Sequence, residues 1–489
     1  MDRTQRDPAP SVSRVIWVLI CFCACFGTPT YGFERICSQP ELLAGDEFST
    51  EYAIYEGELF SEDVEFWAED VDGDGDQDAI LLGGFNPYRE VWDGMGREGR
   101  LLVNNGDGEF VLSEWESPPI SVSARAYFAD FDSNGLIDFF FADIGWDAPP
   151  FPGYSNGLML QLESGWINAS DRLPGDPSGF TYSSALGDVD NDGDVDIFVL
   201  NNGNGGDGNI KYLLINDGAA NFTIDNSLMP KDFPEDGSYV PAWNSWLAVF
   251  ADIDGDGFLD LVKGGNEPDL SATTIYWGAP NGFSNDRVTE LDLAGSSDQL
   301  GAGALQIEVA KSFDVNGDGR SDLFLSGTDD TFTVRLVQLW MNAGERTFLE
   351  QSAERLGDQA AAAIDTGGLG DVIWTDFNQD GFQDIVPQKT TLQGRKDIFA
   401  WLGDGEGYFT PLTPSNSSFD NFEGAFINQW VISDSEFNAP HFFEYQGKLV
   451  ANRVVPARTS VIDDFPCPLS VQPPLTPIQK IGLEDDLLR

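Results

Sequence analysis

Asp70, Asp72, Asp74, Asp76 and Asp78 stand on alternate positions of "DVDGDGDQD", with Gly75 at its sixth position. Like charges this close repel one another and oppose folding unless a cation neutralises them. Alternate aspartates around a glycine are the arrangement of a calcium loop. Side-chain oxygens at positions 1, 3 and 5 face one point, and glycine at position 6 permits the tight turn. For any single stretch the plainer alternative is a solvated acidic turn.

The spacing recurs five more times, as D-x-[DN]-x-[DN]-G-x-x-D. The second stretch carries Asp130, Asp132, Asn134, Leu136 and Asp138, and the third Asp188, Asp190, Asp192, Asp194 and Asp196. The fourth carries Asp252, Asp254, Asp256, Phe258 and Asp260, and the fifth Asp314, Asn316, Asp318, Arg320 and Asp322. The sixth carries Asp376, Asn378, Asp380, Phe382 and Asp384. Position 7 varies freely because only its carbonyl would serve as a ligand, whereas Asp at position 9 would close the shell. An EF-hand would need Glu at position 12, where this chain has Leu81, Phe141, Val199, Lys263, Leu325 and Pro387. The expected cofactor is therefore Ca²⁺, about six structural ions in loops that are not EF-hands.

These starts lie roughly 60 residues apart, which marks an array of supersecondary units. One more step reaches Asp434, Glu436 and Asn438, but Ala439 replaces the glycine and Phe442 the last aspartate. This seventh loop is expected to hold no ion, with Phe442 beginning a strand "FFEY". Apolar runs such as "AILL", "FFFA" and "IFVL" follow the loops directly. Further on come hairpin signals such as "KYLLINDGAANF" and "LWMNAGERTF". Each unit thus holds about four short strands, the content of one propeller blade.

Motif, period and strand order together resemble the FG-GAP/VCBS repeat family, calcium-loop β-propellers that include integrin α-subunit heads. The resemblance spans roughly residues 50–455. It implies an all-β, seven-bladed β-propeller of four-stranded blades, six of them carrying a calcium loop. The seventh blade would borrow a strand from the other end of the chain, near "EYAIY" at 51–55. In this family ligands bind on the face opposite the metal loops. The connections expected there carry Tyr88 and Trp92, then Trp146, Phe151 and Tyr154, then Tyr239, Trp243 and Trp246. Such aromatics suit stacking on sugars or a protein partner, or else they plug the propeller core.

Three arginines precede the uncharged run "VIWVLICFCACFG", so residues 1–32 read as an export signal. Residues 33–469 form the expected propeller and 470–489 a flexible tail. Lipid attachment at Cys25 is a weaker reading of the same segment. Outside the signal only Cys37 and Cys467 remain, expected to pair in an oxidising compartment; two unrelated thiols are the alternative. No later apolar run is long enough to span a membrane. The formal net charge of −56 argues against nucleic acid and anionic membrane as partners. Six divalent ions would not cancel it, and the remainder suits a solubility or high-salt surface.

Other motifs carry less. "GYSNG" at 153–157 matches G-x-S-x-G, but that pattern requires a strand-turn-helix setting and a His partner, and His441 is the chain's only histidine. "GMGREG" and "GNGGDG" lead into strands rather than helices, and one His with two mature Cys makes no ordinary zinc site. No catalytic pair stands out among so many carboxylates. The sequence thus predicts a secreted or cell-surface, monomeric, calcium-binding propeller. It would act as a binding or adhesion module for a glycan or protein, more readily than as an enzyme. The alternative on the same fold is a polysaccharide lyase or hydrolase.

Overall fold

The computed structural model describes residues 50–52, 64–74, 78–83, 97–104, 110–113, 115, 117–120, 125–145, 153–174, 179–201, 211–233, 245–265, 272–291, 305–329, 335–357, 372–378, 380–387, 390–391, 400–412, 426–427, 430–431, 441–445 and 448–452. The expected signal peptide, Cys37 and Cys467, the C-terminal tail and the seventh loop from Asp434 to Pro440 lie outside these residues.

Each repeat folds into a four-stranded antiparallel sheet whose strands follow one another in space as in sequence. Blade 1 comprises Val64–Glu69, Asp78–Gly83, Arg100–Asn104 and Phe110–Leu112. Blade 2 comprises Arg125–Ala129, Asp138–Ala142, Gly157–Leu162 and Gly165–Asn168. Blade 3 runs from Thr181–Gly187 through Asp196–Asn201 and Lys211–Asn216 to Phe222–Ile224. Blade 4 takes Ala248–Ala251, Asp260–Lys263, Thr273–Tyr276 and Val288–Leu291. Blade 5 is the longest, with Leu305–Phe313, Asp322–Asp329, Arg335–Gly344 and Thr347–Glu350. Blade 6 takes Val372–Thr375, Asp384–Pro387, Ala400–Gly403 and Phe409–Leu412.

The second strand of a blade is apolar on both faces because a neighbouring blade covers each of them. Phe139, Phe140 and Phe141 are all fully buried. Phe139 and Phe141 join a core with Ile80 and Leu101 of blade 1, whereas Phe140 joins Ile197 and Leu214 of blade 3. The same partition recurs at the next three boundaries. The core is therefore a series of slabs between blades. The six innermost strands surround a central cavity of about 410 Å³, lined among others by Trp67, Arg125, Ser184, Leu247, Lys311 and Val372.

This is an all-β propeller of four-stranded blades, and it corrects the expected count of seven: among the described residues six blades are each built from one contiguous stretch of chain. Among the described residues the seventh unit supplies three strands of its own. Its Trp430–Val431, His441–Tyr445 and Lys448–Asn452 make a four-stranded sheet only by adding Thr50–Tyr52 from the other end of the chain. Thr50–Tyr52 pairs antiparallel with Lys448–Asn452 in the register Thr50↔Ala451, and Trp430–Val431 lies beside the innermost strand of blade 1. Phe442 lies in a strand, as expected. Among the described residues no helix is long and apolar enough to cross a membrane.

Candidate metal centres

All six acidic loops occupy one position in the fold, linking the first strand of a blade to its second. Position 1 is the organiser. Its carboxylate accepts the N–H of position 5 in every loop, from 2.9 Å at Asn134 to 3.1 Å at Asp74, and in loops 2 to 6 also that of the position-6 glycine. Those glycines hold φ between 83° at Gly319 and 101° at Gly193, a left-handed conformation that side chains resist. Position 4 is left-handed as well, at Gly73, Ser133, Asn191, Gly255 and Gly317.

Position 9 begins the second strand, and Asp78, Asp138, Asp196, Asp260, Asp322 and Asp384 are all 0% exposed. One oxygen accepts the N–H of position 2, for example Phe131 to Asp138 at 2.8 Å. In loops 2 to 6 the other accepts an N–H from the third strand or the residues just after it: Gln161, Asn216, Gly278, Asn342 and Gly403, at 2.7–2.9 Å. These contacts fix the carboxylate but do not neutralise it. Burial raises Asp138 and Asp196 to about 7, Asp260 and Asp322 to about 6, and Asp384 to about 8, against main-chain donors that pull the other way. Burial, reinforced by neighbouring loop aspartates, also raises Asp72 and Asp190 at position 3.

Positions 1, 3 and 9 converge. Carboxylate oxygens of Asp70, Asp72 and Asp78 lie within 4.8 Å of one another, as do those of Asp130, Asp132 and Asp138, of Asp188, Asp190 and Asp196, and of Asp252, Asp254 and Asp260. In loops 5 and 6 the position-3 residue is Asn316 or Asn378, whose Oδ1 accepts the N–H of Asp318 or Asp380 at 3.0 Å. Position 5 stands outside these acidic groups. Asn134, Asp192, Asp256, Asp318 and Asp380 each use Oδ1 to accept the N–H of position 7, at 2.8–3.1 Å. In loops 3, 5 and 6 the position-7 side chain turns toward the outer hairpin of its own blade. Asp194 lies against Gly218 and Phe382 against Gly405, while Arg320 donates to the carbonyl of Asn342. Asp76 lies outside the described residues. Three carboxylates around one point suit a hard divalent cation with oxygen ligands, and the chain's residues fit Ca²⁺.

Two features escaped the reading of the sequence. Position 2, written as x, is always apolar and buried: Val71, Phe131, Val189, Ile253, Val315 and Phe377. Its uniform V, F or I was the available signal. The second is an asparagine latch between blades. Asn216 Nδ2 of blade 3 donates to the Phe131 carbonyl at 2.8 Å, and Asn342 Nδ2 of blade 5 to the Ile253 carbonyl at 3.2 Å. In both cases the latched carbonyl belongs to position 2 of the preceding loop. The recurring "N-x-G" of the outer hairpins was its trace.

On the face away from the loops, Trp246 stacks on Tyr182 with ring centroids 4.7 Å apart, both rings half-buried. Tyr154 is half-buried, and its N–H donates to Gly179. Tyr88, Trp92, Trp146, Phe151, Tyr239 and Trp243 lie outside the described residues. Lys211 and Lys263 are buried toward this face; desolvation, with Lys263 as a like charge, pulls Lys211 down to about 7. Ser155 is exposed in a coil that enters the strand Gly157–Leu162, not the helix a nucleophile elbow requires.

No curated protein matches the chain. Three stretches, 70–141, 188–262 and 314–386, match the family described as FG-GAP-like repeat. Each match begins at position 1 of one loop and runs through the next, so together they take in all six. With its period, loops and blades in register with those matches, the chain carries FG-GAP-like repeats across these three stretches.

Proposed function

We propose that this is a secreted, calcium-stabilised propeller that serves as an extracellular binding module for a glycan or protein partner. The observation that carries the calcium reading is the set of fully buried aspartates closing the loops. Those of loops 2 to 6 have main-chain N–H groups as their described partners, and among the described residues no Lys or Arg pairs with them. A carboxylate in that setting either takes up a proton or sits beside a metal ion, and in loops 2 to 4 a nearby pair of further aspartates favours the ion. Ca²⁺ there would supply charge neutralisation and structural rigidity.

The binding role rests on the repeat family and on the aromatic pair Tyr182 and Trp246 on the face away from the loops. We further infer that the composite sheet closes the ring between blades 6 and 1, and that Cys37 and Cys467 form a disulfide near this closure. Peptide mapping of unreduced protein should recover the two cysteine peptides joined; free thiols would refute the bridge. The binding function is tested on a glycan array and on extracellular protein ligands, each with Ca²⁺ and with chelator. Saturable, calcium-dependent binding that Trp246→Ala weakens, without turnover of the bound polysaccharide, is the expected result. Turnover would establish the lyase or hydrolase alternative instead.

A further inference from the structure

The fourth loop meets a fixed positive charge from the next blade. Arg346 sits in the two-residue turn joining the outer strands of blade 5, where Glu345 and Arg346 have φ of 53° and 61°. Its Nε donates to Asp254 Oδ2 at 2.7 Å. Its Nη2 lies 2.6 Å from the same oxygen and 3.3 Å from Asp256 Oδ2. The guanidinium carbon stands 4.9 Å from the centroid of the Trp277 ring. The backbone is held too: Thr289 Oγ1 donates to the Arg346 carbonyl at 2.9 Å and accepts from Trp277 Nε1 at 3.0 Å. A guanidinium clamped at its head and at its main chain is a built feature, unlike a mobile surface lysine.

The third loop is the internal comparison. Among the described residues no Lys or Arg makes an ion pair with Asp188, Asp190, Asp192, Asp194 or Asp196; Ser133 Oγ of the preceding blade donates to Asp194 Oδ1 at 3.3 Å. In the fourth loop Asp254 Oδ1 accepts the Asp256 N–H at 3.1 Å within the loop, while Oδ2 carries the guanidinium. Arg346 therefore acts on the converging group of Asp252, Asp254 and Asp260 through the Asp254 carboxylate.

We propose that Arg346 is a resident counter-cation of the fourth loop that lowers its affinity for Ca²⁺ below that of the third. The ions then fill the ring in at least two affinity classes. This rests on the calcium reading of the loops. Arg346 neutralises part of the loop's charge when no ion is present, so loop 4 and the boundary of blades 4 and 5 hold together without one. When an ion binds, the two cations share the same carboxylates and repel. For a single charge and a divalent ion roughly 6 Å apart across water, that repulsion amounts to about tenfold in affinity.

The test is calorimetric titration of the stripped full-length chain with Ca²⁺ alone, beside thermal melts with and without Ca²⁺. Arg346→Gln should tighten one site of the weaker class by about tenfold. It should lower the melting temperature in calcium-free buffer and leave it near wild type at saturating Ca²⁺. Arg346→Lys keeps the charge and loses the fork, and should retain the wild-type affinity. In an Asp252→Asn background, which disables the fourth loop, Arg346→Gln should leave the remaining affinities unchanged. An unchanged or weakened affinity in Arg346→Gln overturns the proposal, as does a Lys variant that behaves like Gln. Equal loss of melting temperature with and without Ca²⁺ would reduce Arg346 to a packing residue. Wild-type protein that binds no Ca²⁺ would overturn the calcium reading itself.

Discussion

Removing calcium should reverse the protein's response to pH. Asp138, Asp196, Asp260, Asp322 and Asp384 have folded-state pKa values of about 6 to about 8, raised by burial from 3.8. A raised carboxyl favours the folded state fully below pH 3.8, and that contribution is lost as pH rises through 6 to 8. Shifts of this size correspond to about 3–6 kcal/mol per group. Relaxation and water penetration around the buried groups reduce that to about 1–2 kcal/mol each. Summed over five loops, the loss is comparable with the whole stability of a typical domain, about 5–15 kcal/mol. The stripped protein should therefore melt at a markedly higher temperature at pH 5 than at pH 8. With millimolar Ca²⁺, which needs the ionised carboxylates, stability should instead rise over that interval. The assay is circular dichroism melting of chelator-stripped, desalted protein at the two pH values, with and without Ca²⁺. Running it in about 0.5 M KCl screens the −56 surface charge and leaves the buried groups as the source of the slope. A stripped protein that melts higher at pH 8 than at pH 5 would refute this reasoning.

Two further predictions concern the parts that hold the loops in place. Phe131→Ala removes the fully buried ring at position 2 of the second loop and should cost about 3–5 kcal/mol in chemical denaturation, with weaker Ca²⁺ binding at that loop. A loss under 1 kcal/mol would show that position 2 is not a structural plug. Asn216→Ala deletes the latch to the Phe131 and Val195 carbonyls and should cost about 1–3 kcal/mol. Hydrogen exchange should then rise at the boundary of blades 2 and 3, and a change confined to the Asn216 hairpin would contradict the latch.

The sequence by itself determined the loops, their period and the β content. Alternate aspartates and a glycine specify a turn through local geometry, and a turn repeated at a fixed interval specifies a blade before any long-range contact forms. Even the borrowed strand was legible, because the last unit runs short and a four-stranded sheet must find its missing edge elsewhere. Tertiary structure alone decided what lies between blades. The apolar residue at position 2 is one letter in a loop until the next blade's asparagine caps its carbonyl. Arg346 and Asp254 come together only because neighbouring blades set an outer hairpin beside the preceding loop. Position 5 likewise cannot be placed from spacing, since its carboxylate has a choice between the common point and the N–H two residues on. The blade count belongs here too: six repeats complete a sheet with their own strands, whereas the last makes one only where the two ends of the chain meet.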